Sequence, residues 1–192
     1  MHRLTVLILA ARALCAQQAG YEPQYTAAGE LLKPEDYREW VFLTSGLGMT
    51  YGPAANADTQ NPRFDNVFVN PSSYRAFVKT GRWPDKTLFI LEVRRSVEKG
   101  SINNGGHYQS EIVSVEAAVK DERRFPQRWA YFGFGHGDKA QPAPATSTCN
   151  NCHSRNAAVE NTFVQFYPTL LEIATRKQTL NSGYTAKAAA GH

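Results

Sequence analysis

Two of the three cysteines in this 192-residue chain lie three positions apart, in the run Cys149-Asn150-Asn151-Cys152-His153. This C-x-x-C-H spacing is the attachment pattern of a c-type haem. Each thiol can form a thioether to one vinyl group, and the adjacent imidazole then lies under the iron as an axial ligand. The pattern predicts one haem c bound covalently through Cys149 and Cys152, with His153 as the metal ligand.

A C-x-x-C pair has other uses, namely a structural disulfide, a thioredoxin-type redox pair and half of a zinc site. A redox pair usually opens a helix after a buried strand, whereas residues 141–148 form a proline-rich polar lead-in. Zinc needs two more ligands, and His107, His136 and His192 show no paired spacing. Haem attachment is therefore favoured, with a disulfide as the main alternative.

The first sixteen residues have the pattern of a secretory signal peptide. A cationic start at Arg3 precedes an apolar run over residues 4–11 and then small residues, and the run is too short to span a membrane. Lipid attachment at Cys15 is disfavoured because Leu14 is too large for the usual motif. We expect export to the periplasm, where haem attachment takes place in bacteria, and a single domain over residues 17–180.

Composition adds little about partners. The chain is 42% hydrophobic and 11% aromatic, which is enough for a core without disulfides. Its formal charge of +4 becomes +2 without the signal peptide, which carries Arg3 and Arg12 and no acid. Two ionised haem propionates would offset this remainder, so we expect no nucleic-acid partner.

Hydrophobic periodicity and turn residues predict an α+β fold, an antiparallel β meander with flanking helices that carries the haem. A helix is expected from residue 33 to 40 and beyond, because Pro34 suits a first turn and Tyr37, Trp40 and Val41 share a face. A short helix over 70–81 should begin at Asn70 as its cap. The predicted strands cover residues 64–69, 87–94, 111–120 and 129–134. A loop should carry the haem motif, a helix divided at Pro168 should cover 157–177, and residues 181–192 should be frayed.

Several stretches resemble the cytochrome P-460 family, which includes the cytochromes c′-beta. They are residues 29–41, residues 67–74 with 79–81, residues 116–121 with 124–125, and residues 149–153 with 163–168. The resemblance implies a periplasmic monohaem protein, often a homodimer, whose haem is five-coordinate through His153 and open on its distal side. Its redox chemistry would need a periplasmic partner.

The family resemblance leaves two activities open. The named activity is hydroxylamine oxidation, whereas the c′-beta relatives bind nitric oxide and other small gases. In the enzymes a lysine is cross-linked to the haem edge; an ungapped match places Leu91 there, and leucine cannot form the link. Some members also carry an arginine where this chain has Asp65. We therefore expect binding of nitric oxide or a similar diatomic, with hydroxylamine oxidation or peroxidase-like activity as the alternative.

Glu116 matches the distal carboxylate of the hydroxylamine-oxidising members. In a haem pocket its pKa would be raised, which suits a catalytic general base. Alternatively, Val113, Val115, Ala117 and Val119 form a buried face and Glu116 points to water.

The remaining candidate residues concern the distal side of the haem, as lining of the pocket or as a sixth ligand. Phe64, Phe68, Phe89 and Leu91 are bulky apolar residues that could line it and select small neutral ligands, or could be ordinary core residues. Met49 and His136 lie in glycine-rich loops and could each supply a sixth ligand. A filled sixth position would make the protein an electron-transfer cytochrome.

Overall fold

A five-stranded antiparallel sheet forms the centre of the molecule. The computed structural model describes residues 21–51 and 60–190, and the predicted signal peptide lies outside them. The sheet follows chain order through β2 (Val41–Leu47), β3 (Arg63–Val69), β4 (Leu88–Val97), β5 (Tyr108–Lys120) and β6 (Trp129–Gly135). Strands β1 (Leu31–Leu32) and β7 (Lys139–Ala140) pair separately. The described residues form four α-helices, α1 (Pro71–Thr80), α2 (Thr148–Asn156), α3 (Pro168–Arg176) and α4 (Ser182–Ala189). The predicted α+β meander is confirmed.

The two faces of this sheet are covered by different parts of the chain. One, the N-terminal face, carries Ile90, Ala117 and Phe132 and packs against Tyr37 and Trp40. The other, the helical face, is covered by residues from α1, α3 and the segment before α3. Its packed row consists of the cross-strand neighbours Val69, Phe89, Ala118 and Tyr131. Because side chains alternate along a strand, each sheet residue belongs to one face.

The prediction of a helix that begins at residue 33 is wrong. Only Tyr37–Glu39 form a short 3-10 turn, and Val41 begins β2. Strand β2 pairs with β3, with Val41 opposite Val69, while Tyr37 and Trp40 are buried against the N-terminal face. Pairing with the sheet therefore outweighed the helical spacing of these aromatic residues.

The C-terminal region also differs from the expectation. Residues 157–163 form a turn around a bridge between Val159 and Thr162, so the helix begins only at Pro168. The haem motif lies on helix α2 rather than in a loop. The expected frayed tail contains α4, none of whose side chains is buried.

The short helix after β3 is confirmed as α1, and it ends at Gly81 with a positive φ of 72°. Asn70 precedes it but does not cap it through its side chain. Its amide instead donates to the Tyr21 carbonyl at 3.1 Å, and its oxygen accepts the Leu88 N–H at 3.0 Å. This residue therefore ties the N-terminal segment to β4. Among the described residues, none of the helices has the length and apolar character needed to cross a membrane.

Candidate haem site

Helix α2 places the motif residues on one side. Ser147 caps the helix, and its hydroxyl accepts the Asn150 N–H at 3.4 Å. Cys149, Cys152 and His153 follow at positions i, i+3 and i+4, which share a helix face. Both cysteines are free thiols, Cys149 exposed and Cys152 half-buried. A single turn of helix therefore presents two thiols and one imidazole in the same direction.

The imidazole of His153 is held on three sides. Its ring lies between the rings of Tyr131 and Phe163, with centroid distances of 4.3 Å to each. Its Nδ1 lies 2.8 Å from the Asn161 carbonyl oxygen. A carbonyl can only accept, so Nδ1 carries the proton and Nε2 keeps its lone pair. Burial lowers the pKa of His153, which favours the neutral ring. Nε2 is thus the nitrogen available to a metal.

The helical face is open beside this histidine. The row next to Phe89 and Tyr131 consists of the cross-strand neighbours Val67, Leu91, Glu116 and Gly133. At Gly133 no described atom lies within 4 Å of where a Cβ would stand. We call the surface formed by Leu91, Glu116 and Gly133 the open area. Within it, Gly133 lies two positions along β6 from Tyr131, the residue that contacts His153.

Glu116 points into the open area. Val115, Ala117 and Val119 are buried on the N-terminal face, as expected if Glu116 points away from that core. Glu116 therefore lies on the helical face, the side of the sheet on which His153 lies. Glu116 keeps access to solvent, yet the surrounding protein desolvates its carboxyl group and raises the pKa. Both interpretations of Glu116, a distal carboxyl group or a side chain that points to water, stay predictions.

A second carboxyl group, Asp65, lies on the same face, opposite Val93 and one row beyond Leu91. Burial, and then the charge of Glu116, raises its pKa to about 6. Tyr51 is close to both acids, and its pKa is raised to about 12 by burial and then by the charges of Asp65, Cys152 and Glu116. Its ring stacks on Phe163 with 6.2 Å between centroids. An acidic pair therefore borders the open area.

The apolar candidates divide between the two faces. Phe89 and Leu91 lie on the helical face, but Phe89 is packed in the core against Trp83, with 4.8 Å between ring centroids. Phe68 lies on the N-terminal face, 5.7 Å from the Tyr37 ring, and the alternation of β3 places Phe64 on the same face. The structure therefore does not bring Phe64 and Phe68 to the side of His153.

The two candidate sixth ligands have different surroundings. Met49 is half-buried, and its sulfur lies so close over Gly46 that a Cβ there would collide with it. Gly46 is paired with Asp65, so Met49 lies towards the outer end of the helical face. His136 is exposed in the turn after β6.

Sequence reasoning missed the groups that hold His153 in place, namely Tyr131, Asn161 and Phe163. The 129–134 pattern identified Tyr131 only as part of a strand, and the distance of thirty residues from Asn161 hides their contact. Gly133 was a visible signal, because a glycine inside a strand often marks a close approach of a ligand or backbone.

The donor set fits a haem rather than a bare metal ion. In the described part of the chain no group of three or more His, Cys, Asp or Glu residues could hold a metal. The site instead combines two free thiols, a fixed imidazole with Nε2 available, and an uncovered stretch of sheet. Residues Cys149, Cys152 and His153 would hold the group.

The fold is an antiparallel β-sheet with flanking helices, and the residues of its site fit a haem. The sequence model of the Cytochrome P460 family matches residues 34–164, and the chain belongs to that family. The match includes every strand of the main sheet, helix α2 and the whole C-x-x-C-H motif. No curated protein matches the chain in sequence.

Proposed function

We propose that this chain is an exported monohaem c-type protein that binds nitric oxide or a similar small ligand at a five-coordinate iron. Cys149 and Cys152 would form the two thioethers, and His153 would be the axial ligand. The single observation that carries the proposal is the hydrogen bond from His153 Nδ1 to Asn161, which leaves Nε2 as the ligand atom on the same helix face as the thiols. A haem with one open axial position supplies binding of small neutral ligands and one-electron chemistry.

The open area supports the choice of a small ligand. Leu91 presents an apolar side chain next to Glu116, and leucine cannot form the covalent link that accompanies hydroxylamine oxidation in the family. The two rows of the helical face differ, since Phe89 is packed under helices while Gly133 is uncovered. The residues around the proposed ligand site therefore combine the apolar side chain of Leu91 with the carboxyl groups of Glu116 and Asp65.

Intact mass and visible spectra of the protein, produced with the c-type maturation system, test this proposal. We expect the mass of one haem, loss of covalent haem in Cys149→Ser and Cys152→Ser, and a high-spin spectrum in the reduced protein. Cys15→Ser is the matched cysteine control and should leave the haem content unchanged. His153→Ala should alter the spectrum, while His136→Ala should not.

A low-spin reduced spectrum without added ligand would contradict the five-coordinate proposal. If that spectrum became high-spin in Met49→Ala or His136→Ala, the protein would be an electron-transfer cytochrome. A protein that carries no haem after maturation would contradict the proposal altogether.

The second candidate is an oxidoreductase that acts on hydroxylamine or peroxide, with Glu116 as the proton acceptor. The position of Glu116 in the open area and its raised pKa favour this candidate. Turnover with an artificial electron acceptor should be lost in Glu116→Gln. Glu111→Gln changes an exposed glutamate on the same strand and should leave turnover intact. Lack of turnover in the haem-loaded wild type would exclude the enzyme.

Export, assembly and a redox partner belong to the same proposal. The signal-peptide pattern supports a periplasmic location, and the family resemblance supports a homodimer and a periplasmic electron partner. Cell fractionation with N-terminal sequencing tests export and the cut near residue 16. Sedimentation analysis of the haem-loaded protein tests the dimer.

A further inference from the structure

The carbonyl of Asn161 accepts two hydrogen bonds. His153 Nδ1 lies 2.8 Å from its oxygen, and the hydroxyl of Tyr131 donates to the same oxygen at 3.3 Å. The turn that contains Asn161 is closed by the bridge between Val159 and Thr162, and the Thr162 hydroxyl donates to the Val159 carbonyl at 2.8 Å. The shared acceptor is therefore fixed in position by its own loop.

Two hydrogen bonds to the same carbonyl oxygen weaken each other. Each draws electron density from the same oxygen, so the bond from His153 Nδ1–H is weaker than it would be to a carbonyl with one partner. The strength of that bond controls how basic the opposite nitrogen of the ring is, because a strong acceptor at Nδ1–H pushes electron density towards Nε2. A hydroxyl group that donates to the Asn161 carbonyl therefore changes the basicity of His153 Nε2 without contacting that nitrogen.

Tyr131 is well placed for this effect. Its side chain is buried, and its ring contacts the imidazole at a centroid distance of 4.3 Å. A tyrosine hydroxyl is protonated at neutral pH, and that of Tyr131 donates to the Asn161 carbonyl. Phe163 contacts the other side of the imidazole at the same distance but carries no hydroxyl. The two aromatic neighbours therefore share the packing role, and only Tyr131 can compete for the carbonyl.

We propose that Tyr131 is a positioning residue that weakens His153 as an axial ligand by sharing the Asn161 carbonyl. The inference rests on the proposed function, since it takes His153 Nε2 as the ligand of the iron. A weaker axial ligand makes the iron less electron-rich and the bond to His153 easier to lengthen when a small ligand binds on the other side. Tyr131 would then set the reduction potential and the strength of the iron–histidine bond.

Tyr131→Phe tests the proposal because it removes the hydroxyl and keeps the ring. In the haem-loaded variant we expect a higher iron–histidine stretching frequency by resonance Raman spectroscopy and a more negative midpoint potential than in the wild type. In the haem-free chain, the NMR resonance of His153 Nδ1–H should move downfield, because its hydrogen bond becomes stronger. Tyr167→Phe makes the same change at another buried tyrosine, whose ring stacks on Phe89, and is the control.

The two arms separate this inference from the proposed function. If haem does not attach to the wild type, the proposed function fails, and the NMR arm still reports the hydrogen bond. If haem attaches but Tyr131→Phe leaves both the stretching frequency and the Nδ1–H resonance where the control leaves them, the positioning role is refuted. Shifts in the opposite direction would refute it as well.

Discussion

The absence of a side chain at Gly133 gives the sharpest prediction about the open area. Gly133 lies in the edge strand β6, it is not among the glycines with a positive φ, and no described atom lies within 4 Å of its Cβ position. Nothing in the described backbone therefore requires glycine here. If a haem occupies the space beside Gly133, a small side chain here should raise the stability of the haem-free chain, whereas a large side chain should reduce haem binding.

Gly133→Ala should stabilise the haem-free chain. An alanine that fits the backbone reduces the entropy of the unfolded chain, which is worth about 0.4–1 kcal/mol. For a chain of this length, each kcal/mol raises the melting temperature by about 2–4 °C. The expected increase is about 1–4 °C, measured by thermal unfolding in a background in which Cys149 and Cys152 are serine.

Gly133→Leu should keep the fold and lose haem. The larger side chain would occupy the open area, and overpacking of this kind costs about 1–3 kcal/mol. Since about 1.4 kcal/mol corresponds to a factor of ten, the affinity for added haem should fall roughly tenfold in the background in which Cys149 and Cys152 are serine and haem binds reversibly. Absorbance titration gives this affinity, and intact mass gives the covalent haem loading of the matured variant.

Gly105→Leu is the matched control, because Gly105 also has no described atom near its Cβ position but lies in the β4–β5 connection. Full haem loading of Gly133→Leu, equal to that of the control, would refute the assignment of the open area to the haem. Loss of haem in both variants would show a general folding defect and refute the reasoning as well.

Three further predictions concern titration and capping. The pKa of Asp65 is about 6 in the folded chain and about 3.9 in the unfolded chain, so the folded state binds the proton more tightly. The free energy of unfolding of the wild type should therefore rise as pH falls from about 6 to 4. This rise should vanish in Asp65→Asn, as urea unfolding at each pH will show. Burial alone would raise the pKa of Glu92, but hydrogen bonds from Arg94, Tyr37 and Arg38 lower it. Glu92→Gln should therefore cost roughly 2–3 kcal/mol above pH 5 and remove the loss of stability that the wild type shows on further acidification. Ser147→Ala should lower the free energy of unfolding by about 1 kcal/mol through loss of the α2 cap, measured by urea titration.

The meander was predictable because its strands carry local signals. The segments 64–69, 111–120 and 129–134 are rich in β-branched and aromatic residues, and each became part of a strand. The α1 helix had both of its boundaries in the sequence, at Pro71 and Gly81. Haem-site residues 149–153 were equally visible, because C-x-x-C-H is a contiguous chemical pattern.

Other parts were not predictable because their partners are remote. The spacing of Tyr37 and Trp40 fits a helix, but both side chains are buried by a sheet that the local sequence does not describe. Phe64, Phe68, Phe89 and Leu91 are all apolar strand residues, and hydrophobicity alone does not say which side of a two-sided core each one joins. Only the register of β3 with β4 separates them.

The sequence by itself determined the chemistry offered at the site: two thiols and an imidazole at spacings of three and one residues, in the order typical of c-type haem attachment. The tertiary structure decided how that imidazole is held and what faces it. Asn161 and Tyr131 reach His153 from a turn and from strand β6. Glu116 and Gly133 become neighbours through strand pairing. Covalent spacing is a property of the chain, whereas the tautomer of a histidine and the open side of a sheet depend on groups that only folding brings together.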